Sequence, residues 1–358
     1  MFLKCNPTVF VIGKEYEIAI FSKTNGLCFL EIDGKKYYEQ NSGVLCTEKN
    51  FYKIRVPQAA LDSAGSYDVV FRSAINRKAY YSELGQEERV SFSFKALKKT
   101  ADINVYHVAD VHYLFEHAVN TCSYFGDDID LFIVNGDIGE VEKEQDFFDV
   151  LKFVGDISKG QIPVIFVRGN HDTRGKLAER YTDYFPVNGK DTFFSFEVGS
   201  LCGVALDCGE DKPDDHEEYG GVNVFEPFRR RETEFLNSLE LPKDKLAFAI
   251  CHICPVMTTL VKGIIFDIER DVYSVWNKNL ERLNVKFMIT GHLHNTFIVN
   301  EGDERSTLPH AYPVIVGSGL KREPVQVVGT AMTINSDGMV LKFTDQNKKV
   351  IETHQLKY

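Results

Sequence analysis

Five apolar runs in this chain end alike. INVYHVAD runs into Asp110-Val111-His112, and DLFIVNGD ends on Gly136-Asp137. PVIFVRGN leads to Gly169-Asn170-His171-Asp172, KLAFAICH ends on His252, and VKFMITGHLH ends on Gly291-His292-Leu293-His294. A turn after a buried strand needs a glycine and at most an asparagine, because both tolerate positive φ. It has no use for an imidazole beside a carboxylate. The runs alternate with helical stretches such as EKEQDFFDVLKFVGDI, so they predict a layered α/β domain. In such a sheet the carboxyl ends of strands share one rim, where residues far apart in sequence meet. Residues i and i+2 of an extended chain point to one side, so D-x-H and H-x-H can each deliver two side chains to one cluster. His, Asp and Asn suit first-row metal ions, and the glycines let the backbone turn sharply toward one.

The ordered set D-x-H, G-D, G-N-H-D, a lone His and G-H-x-H resembles the calcineurin-like metallophosphoesterase superfamily over about residues 103 to 295. The resemblance implies a metallophosphoesterase-type layered β-sandwich flanked by helices, acting as a hydrolase of phosphoric monoesters or diesters. It implies that Asp110, His112 and His294 hold one metal ion, that Asn170, His252 and His292 hold a second, and that Asp137 bridges them. The ions would be divalent or trivalent manganese, iron, zinc or nickel, with a bridging hydroxide as nucleophile. By the same resemblance His171 is the general acid, Glu140 its preferred orienting carboxylate and Asp172 the competing one. The purple acid phosphatase branch has a metal-bound tyrosine where this chain has Glu140. The Asp-Arg-Gly continuation of Ser/Thr protein phosphatases is also missing from Gly136-Asp137-Ile138-Gly139-Glu140-Val141.

Blander readings compete residue by residue. Turn and cap duty fails for the set as a whole, because five of the ten histidines fall in it. His107 reads as a packed strand residue. Cys251 and Cys254 form a C-x-x-C without a partner pair, which fits small buried residues better than a zinc ribbon. His216 reads as part of a solvated acidic loop, and His117, His310 and His354 have no supporting context. Arg168 and Arg174 flank the Gly-Asn-His-Asp turn, where a guanidinium either forks onto phosphate or pairs with a local carboxylate. Arg229 to Arg231 open a helix from about Arg230 to Leu239, read as a solvated face over buried Phe235, Leu236 and Leu239. Gly317-Ser318-Gly319 either approaches the site or forms a plain turn.

Residues 1–98 alternate apolar and polar positions between turn signals at Asn25-Gly26, Asp33-Gly34 and Ala64-Gly65. They predict an all-β domain of immunoglobulin or fibronectin type. ALKKTAD (96–102) marks the boundary to a second domain, 99–358, whose strands from about Thr296 onward predict a second sheet. The formal charge of −11, with no long basic run, disfavours nucleic acid and with it a nuclease of the same superfamily. Acidic residues in 208–228 favour a small or singly charged diester. No signal peptide is expected at the start, and LAFAICHICPVMTTLVKGIIF is broken by His252, Pro255 and Lys262, against a membrane helix. Eight scattered cysteines predict reduced thiols and a cytoplasmic location. The expected partner is a small phosphate ester. The alternative function is a catalytically restrained scaffold whose amino-terminal sandwich binds a protein or glycan.

Overall fold

The strands that carry the five polar tips are buried on both faces, and the fold supplies a cover for each. In the computed structural model, which describes residues 1–257 and 268–358, Ile103–Val108, Leu131–Asn135 and Pro163–Val167 lie parallel and adjacent. Leu201–Leu206, Leu246–Cys251, Met288–Thr290 and the start of Val314–Arg322 form a second parallel run. Ile133 and Ile165 of the first run share a central core with Ile250, Ile289 and Ile315 of the second. Their alternating neighbours Phe132, Val134 and Val164 face outward onto Phe147, Leu151 and Val154 of helix Glu144–Ser158. On the far side Val204, Ala249 and Met288 meet Leu236 of helix Phe225–Ser238 and Trp276 and Leu280 of helix Arg270–Arg282. The layers are therefore helix, strand, strand, helix, and near-continuous apolar strands are what such double cover requires.

The strands after His294 do not make a sheet of their own. Val314–Arg322 pairs with Met288–Thr290 through its first half and with Val325–Asn335 through its second. Val325–Asn335 then pairs antiparallel with Ile103–Val108. One long strand thus spans both halves and joins them into a single 15-stranded mixed sheet.

Strand pairing also crosses the boundary expected near residue 98. Thr8–Ile12 is buried along its whole length, and it finds its cover by pairing parallel with Pro163–Val167, Val9 opposite Pro163. Glu15–Phe21 and Phe51–Pro57 continue that edge. The other early strands form a five-stranded antiparallel sheet around Ser66–Arg77, which shares Leu30, Val69 and Phe71 with Ile18 and Ile54 in the central core. Asp33 and Gly34 turn the hairpin between Gly26–Ile32 and Lys35–Tyr37 with φ of 48° and 73°, as a two-residue turn demands. Gly65 instead ends a short helix, Gln58–Ala64.

The described start of the apolar stretch 246–266 is the strand Leu246–Cys251, and residues 258–267 lie outside the described residues. No helix among the described residues is long and apolar enough to cross a membrane. Arg229, expected on a solvated helix face, is only 1% exposed. It donates to the Cys208 and Glu210 carbonyls and to Glu269, because its helix packs against the 208–211 segment rather than against solvent at that turn. Arg230 and Arg231 are exposed.

Candidate metal centre

The five strand ends are sewn to one another by backbone bonds. Asp110 N–H donates to the Gly136 carbonyl and His112 N–H to that of Asp137, both at 3.1 Å. His171 N–H donates to Asp137 Oδ1 at 2.9 Å, His292 N–H to Asp110 Oδ2 at 3.0 Å, and Gly291 N–H to the His252 carbonyl at 2.9 Å. These contacts force side-chain-bearing residues into the left-handed region: φ is 54° at Asp110, 44° at His112, 56° at Asp137, 67° at His292 and 49° at His294. Each such residue stores about 1–3 kcal/mol, and strain of this kind concentrates where a constellation must be held.

Two glycines allow the closest approach. A Cβ on Gly136 would lie 2.4 Å from Gly169 Cα, and one on Gly169 would lie 2.2 Å from Asp137 Oδ1. Asp172 fastens the same two turns, since its Oδ2 accepts from Gly169 N–H at 2.8 Å and from Asp137 N–H at 3.2 Å. Its carboxylate is thus spent on backbone. Glu140 is exposed and engages Tyr113 Oη through its backbone carbonyl; its carboxylate makes no hydrogen bond or ion pair among the described residues.

Three donor groups result, each with ligand atoms within 4.8 Å of one another: Asp110, His112 and His294; His112, Asp137 and His171; Asp137, His252 and His292. Asn170 Oδ1 adds an oxygen 2.8 Å from His292 Nδ1. His112 Nε2 and His294 Nε2 face each other at 3.2 Å. His252 Nδ1 donates to the Asn135 carbonyl at 2.6 Å, which fixes the ring and turns Nε2 inward. That buried Nε2 pairs with the Asp137 carboxylate, 3.2 Å from its Oδ2.

The electrostatics favour a cation. Burial lowers His112 to about 4 and His292 to about 3, and it lowers His294 as well, so these imidazoles stay in the neutral, ligating form. Burial also pushes the Asp110 carboxyl up to about 8 and that of Asp172 up to about 7, the Asp137 charge adding to both. Burial alone would raise Asp137 too, but His252 and the neighbouring imidazoles hold it well below the usual carboxylate range. Burial works against charge on His252, and the Asp137 and Asp110 carboxylates overcome it, holding the imidazole up at about 10. Buried carboxylate oxygens, neutral imidazoles and an asparagine oxygen, converging within a few ångströms, together fit metal ions.

Other expected residues lie elsewhere. Arg168 pairs with Asp207 at 2.8 Å, and Arg174 grips Glu210 with two bonds of 2.7 and 2.6 Å. His107 is fully buried beside Asn135 Nδ2 at 3.2 Å. Cys251 Sγ lies 3.2 Å from Cys208 Sγ, and both cysteines are buried. Ser318 Oγ donates to the Ala109 carbonyl at 2.5 Å, inside a strand rather than a turn. Two contributors were not anticipated. Asn135 left the signal of a polar residue inside an apolar strand. Asp211, 3.7 Å from His292 Nε2, left none within an acid-rich loop.

Comparison with known proteins bears on this rim. The model of the calcineurin-like phosphoesterase family matches residues 103–296, a span that encloses every expected ligand position. The purple acid phosphatase PPD1 from yellow lupin (Lupinus luteus) seeds has a similar structure, with a TM-score of 0.62 at 11% identity over 98% of this chain and 74% of that one. PhoD is similar with a TM-score of 0.52 at 10% identity, over 98% of this chain and 88% of that one. At such identities the likeness is one of fold. No curated protein matches the chain in sequence.

Proposed function

Because the chain belongs to the calcineurin-like phosphoesterase family, we propose that it is a dinuclear-metal-dependent hydrolase of phosphoric mono- or diesters. The observation that carries this reading is the convergence of neutral imidazoles and buried carboxylates on Asp137, whose Oδ2 lies 3.2 Å from His252 Nε2. Asp110, His112 and His294 would hold one ion and Asn170, His252 and His292 the other, with Asp137 shared. Manganese, iron, zinc and nickel all suit such donors. When bound, a metal pair supplies an acidified water and positive charge for the phosphate oxygens.

The remaining chemistry falls to the chain. His171 is half-buried, with its ring 4.8 Å from that of His112, and it protonates the leaving-group oxygen. Asp172 acts as a positioning residue, through the two backbone amides that it binds. Glu140 is left at the rim as the second candidate to orient His171. Arg168 and Arg174 reach a phosphate only by leaving Asp207 and Glu210.

Protein stripped with chelator and reloaded with single metals should hydrolyse a generic aryl phosphomonoester or the matching bis-aryl diester, and the preferred ester assigns the branch. His171→Gln should keep two metals and slow turnover by about 10²- to 10⁴-fold. Parental rates from that variant on every ester would remove the acid role.

The division of the chain belongs to the same reading. Residues 1–98 are a sandwich-like unit built onto the sheet edge of a metallophosphoesterase domain, 99–358, a view supported by the pairing of Thr8–Ile12 with Pro163–Val167. A fragment 99–358 should therefore melt without cooperativity. A cooperative melt with full metal content would show instead that the second unit stands alone.

A further inference from the structure

A groove of about 310 Å³ opens beside His294. Its walls include Lys321 near the end of one strand, Gln326 near the start of the next, and Lys349 in the loop after Gly338–Asp345. Arg322 and Lys348 are the chain neighbours of the two lysines, and all four cations are exposed. None of their side chains makes a hydrogen bond, ion pair or ring contact among the described residues. Asp345 also lines the groove, but it is buried and its Oδ1 accepts from the Asn347 and Lys349 backbone amides at 2.8 and 3.1 Å, so it shapes the loop. Glu323 is the exposed acid next to Arg322.

The other flank of the centre is different. Arg168, Arg174 and Lys212 are all tied to carboxylates there, and Asp211 stands 3.7 Å from His292. Any repulsion from the acidic 208–228 segment thus acts at His292, while uncompensated positive charge reaches the centre at His294. In a chain with a formal charge of −11 that asymmetry selects for the charge of a ligand.

We propose that this groove is an anion subsite, and that the ester hydrolysed at the centre carries a second phosphate, which Lys321 and Lys349 bind. The proposal rests on the hydrolase reading above. Exposed charge pairs are individually weak, and two or three together amount to about tenfold in affinity at low salt. At 1 M salt the screening length falls to about 3 Å and most of that gain disappears.

Calorimetric titration of the metal-loaded protein with butane bisphosphonate and with butyl phosphonate tests this without turnover. The bisphosphonate should bind about tenfold tighter at low salt. The difference should vanish in molar salt and in the double variant Lys321→Ala/Lys349→Ala. If the alanine pair melts early, Lys321→Gln/Lys349→Gln serves in its place. Equal affinities in the parent, or a preference that the double variant keeps, would overturn the subsite. Turnover of the aryl phosphomonoester and of the bis-aryl diester, measured alongside, separates the two readings. No turnover of either ester with an intact, lysine-dependent preference would sink the hydrolase and leave only an anion-binding groove, whereas turnover without a preference would sink the subsite alone.

Discussion

Asp137→Asn should retain neither a full complement of metal nor measurable ester hydrolysis. The side chain is almost completely buried, with Oδ1 bound by His171 N–H and Oδ2 within 3.2 Å of His252 Nε2 and 3.9 Å of His112 Nε2. Asparagine keeps the shape and one acceptor, so His171 N–H still finds a partner, but the negative charge at the middle of the cluster is gone. Its amide would instead turn donors toward nitrogens that must act as ligands. Losing a residue that merely supports a ligand costs about 10- to 100-fold in metal affinity, so losing one shared by two ions should cost more than about 100-fold. The fold should persist, since His252 reverts to the neutral form that burial favours once the carboxylate is removed. Metal analysis after reconstitution, read beside a melting curve of the metal-free variant, checks this. Two equivalents of metal on a folded Asn variant would show that Asp137 is not the shared ligand.

The parts of this centre that were legible in the sequence are those where a polar residue interrupts an apolar pattern. His252 after LAFAIC and the Gly-Asn-His-Asp after PVIFV break a buried strand at its carboxyl end, and topology alone brings such ends together. What pattern cannot give is the direction of a side chain within a turn. Asp172, adjacent to His171 in sequence, sits in the short 3₁₀ turn His171–Thr173, which sends its carboxylate back to Gly169 and Asp137. Glu140 shows the same limit, for its spacing from Asp137 fixes only its place on the chain, and the backbone there leaves its side chain in solvent.

How the amino-terminal region attaches was illegible for a related reason. The apolar run Thr8–Ile12 reads as a strand but carries no information about its neighbour, and pairing with Pro163–Val167 depends on an edge formed about 150 residues later. Arg229 escaped notice because three successive arginines look solvated, although a helix presents them in three directions, and one of these faces the 208–211 carbonyls.

Gly169→Ala should damage the protein more than its single added carbon suggests. The new Cβ would lie 2.2 Å from Asp137 Oδ1 and 2.6 Å from Asp137 N, against a backbone that cannot swing away as a flexible side chain would. Nor can the opposing turn retreat, because Gly136 is packed onto Gly169 and His252 Nδ1 waits 2.7 Å from where a Gly136 Cβ would stand. Relief requires the two turns to separate, which stretches the bonds that cross between them, from Asp137 N–H to the Asp172 carboxylate and from His171 N–H to the Asp137 carboxylate. Overpacking of a rigid site costs about 1–3 kcal/mol and the loss of a hydrogen bond to a charged group about 1.5–3 kcal/mol, so a total near 4 kcal/mol is expected. The same separation moves Asn170 and His171 relative to Asp137, and misplacement by about 1 Å can cost about 100-fold in rate. Denaturant unfolding and metal stoichiometry should therefore fall together with activity. A variant that loses activity while keeping parental stability and two metals would place the sensitivity in substrate contact, and the close approach of the two turns would then matter less than their geometry indicates.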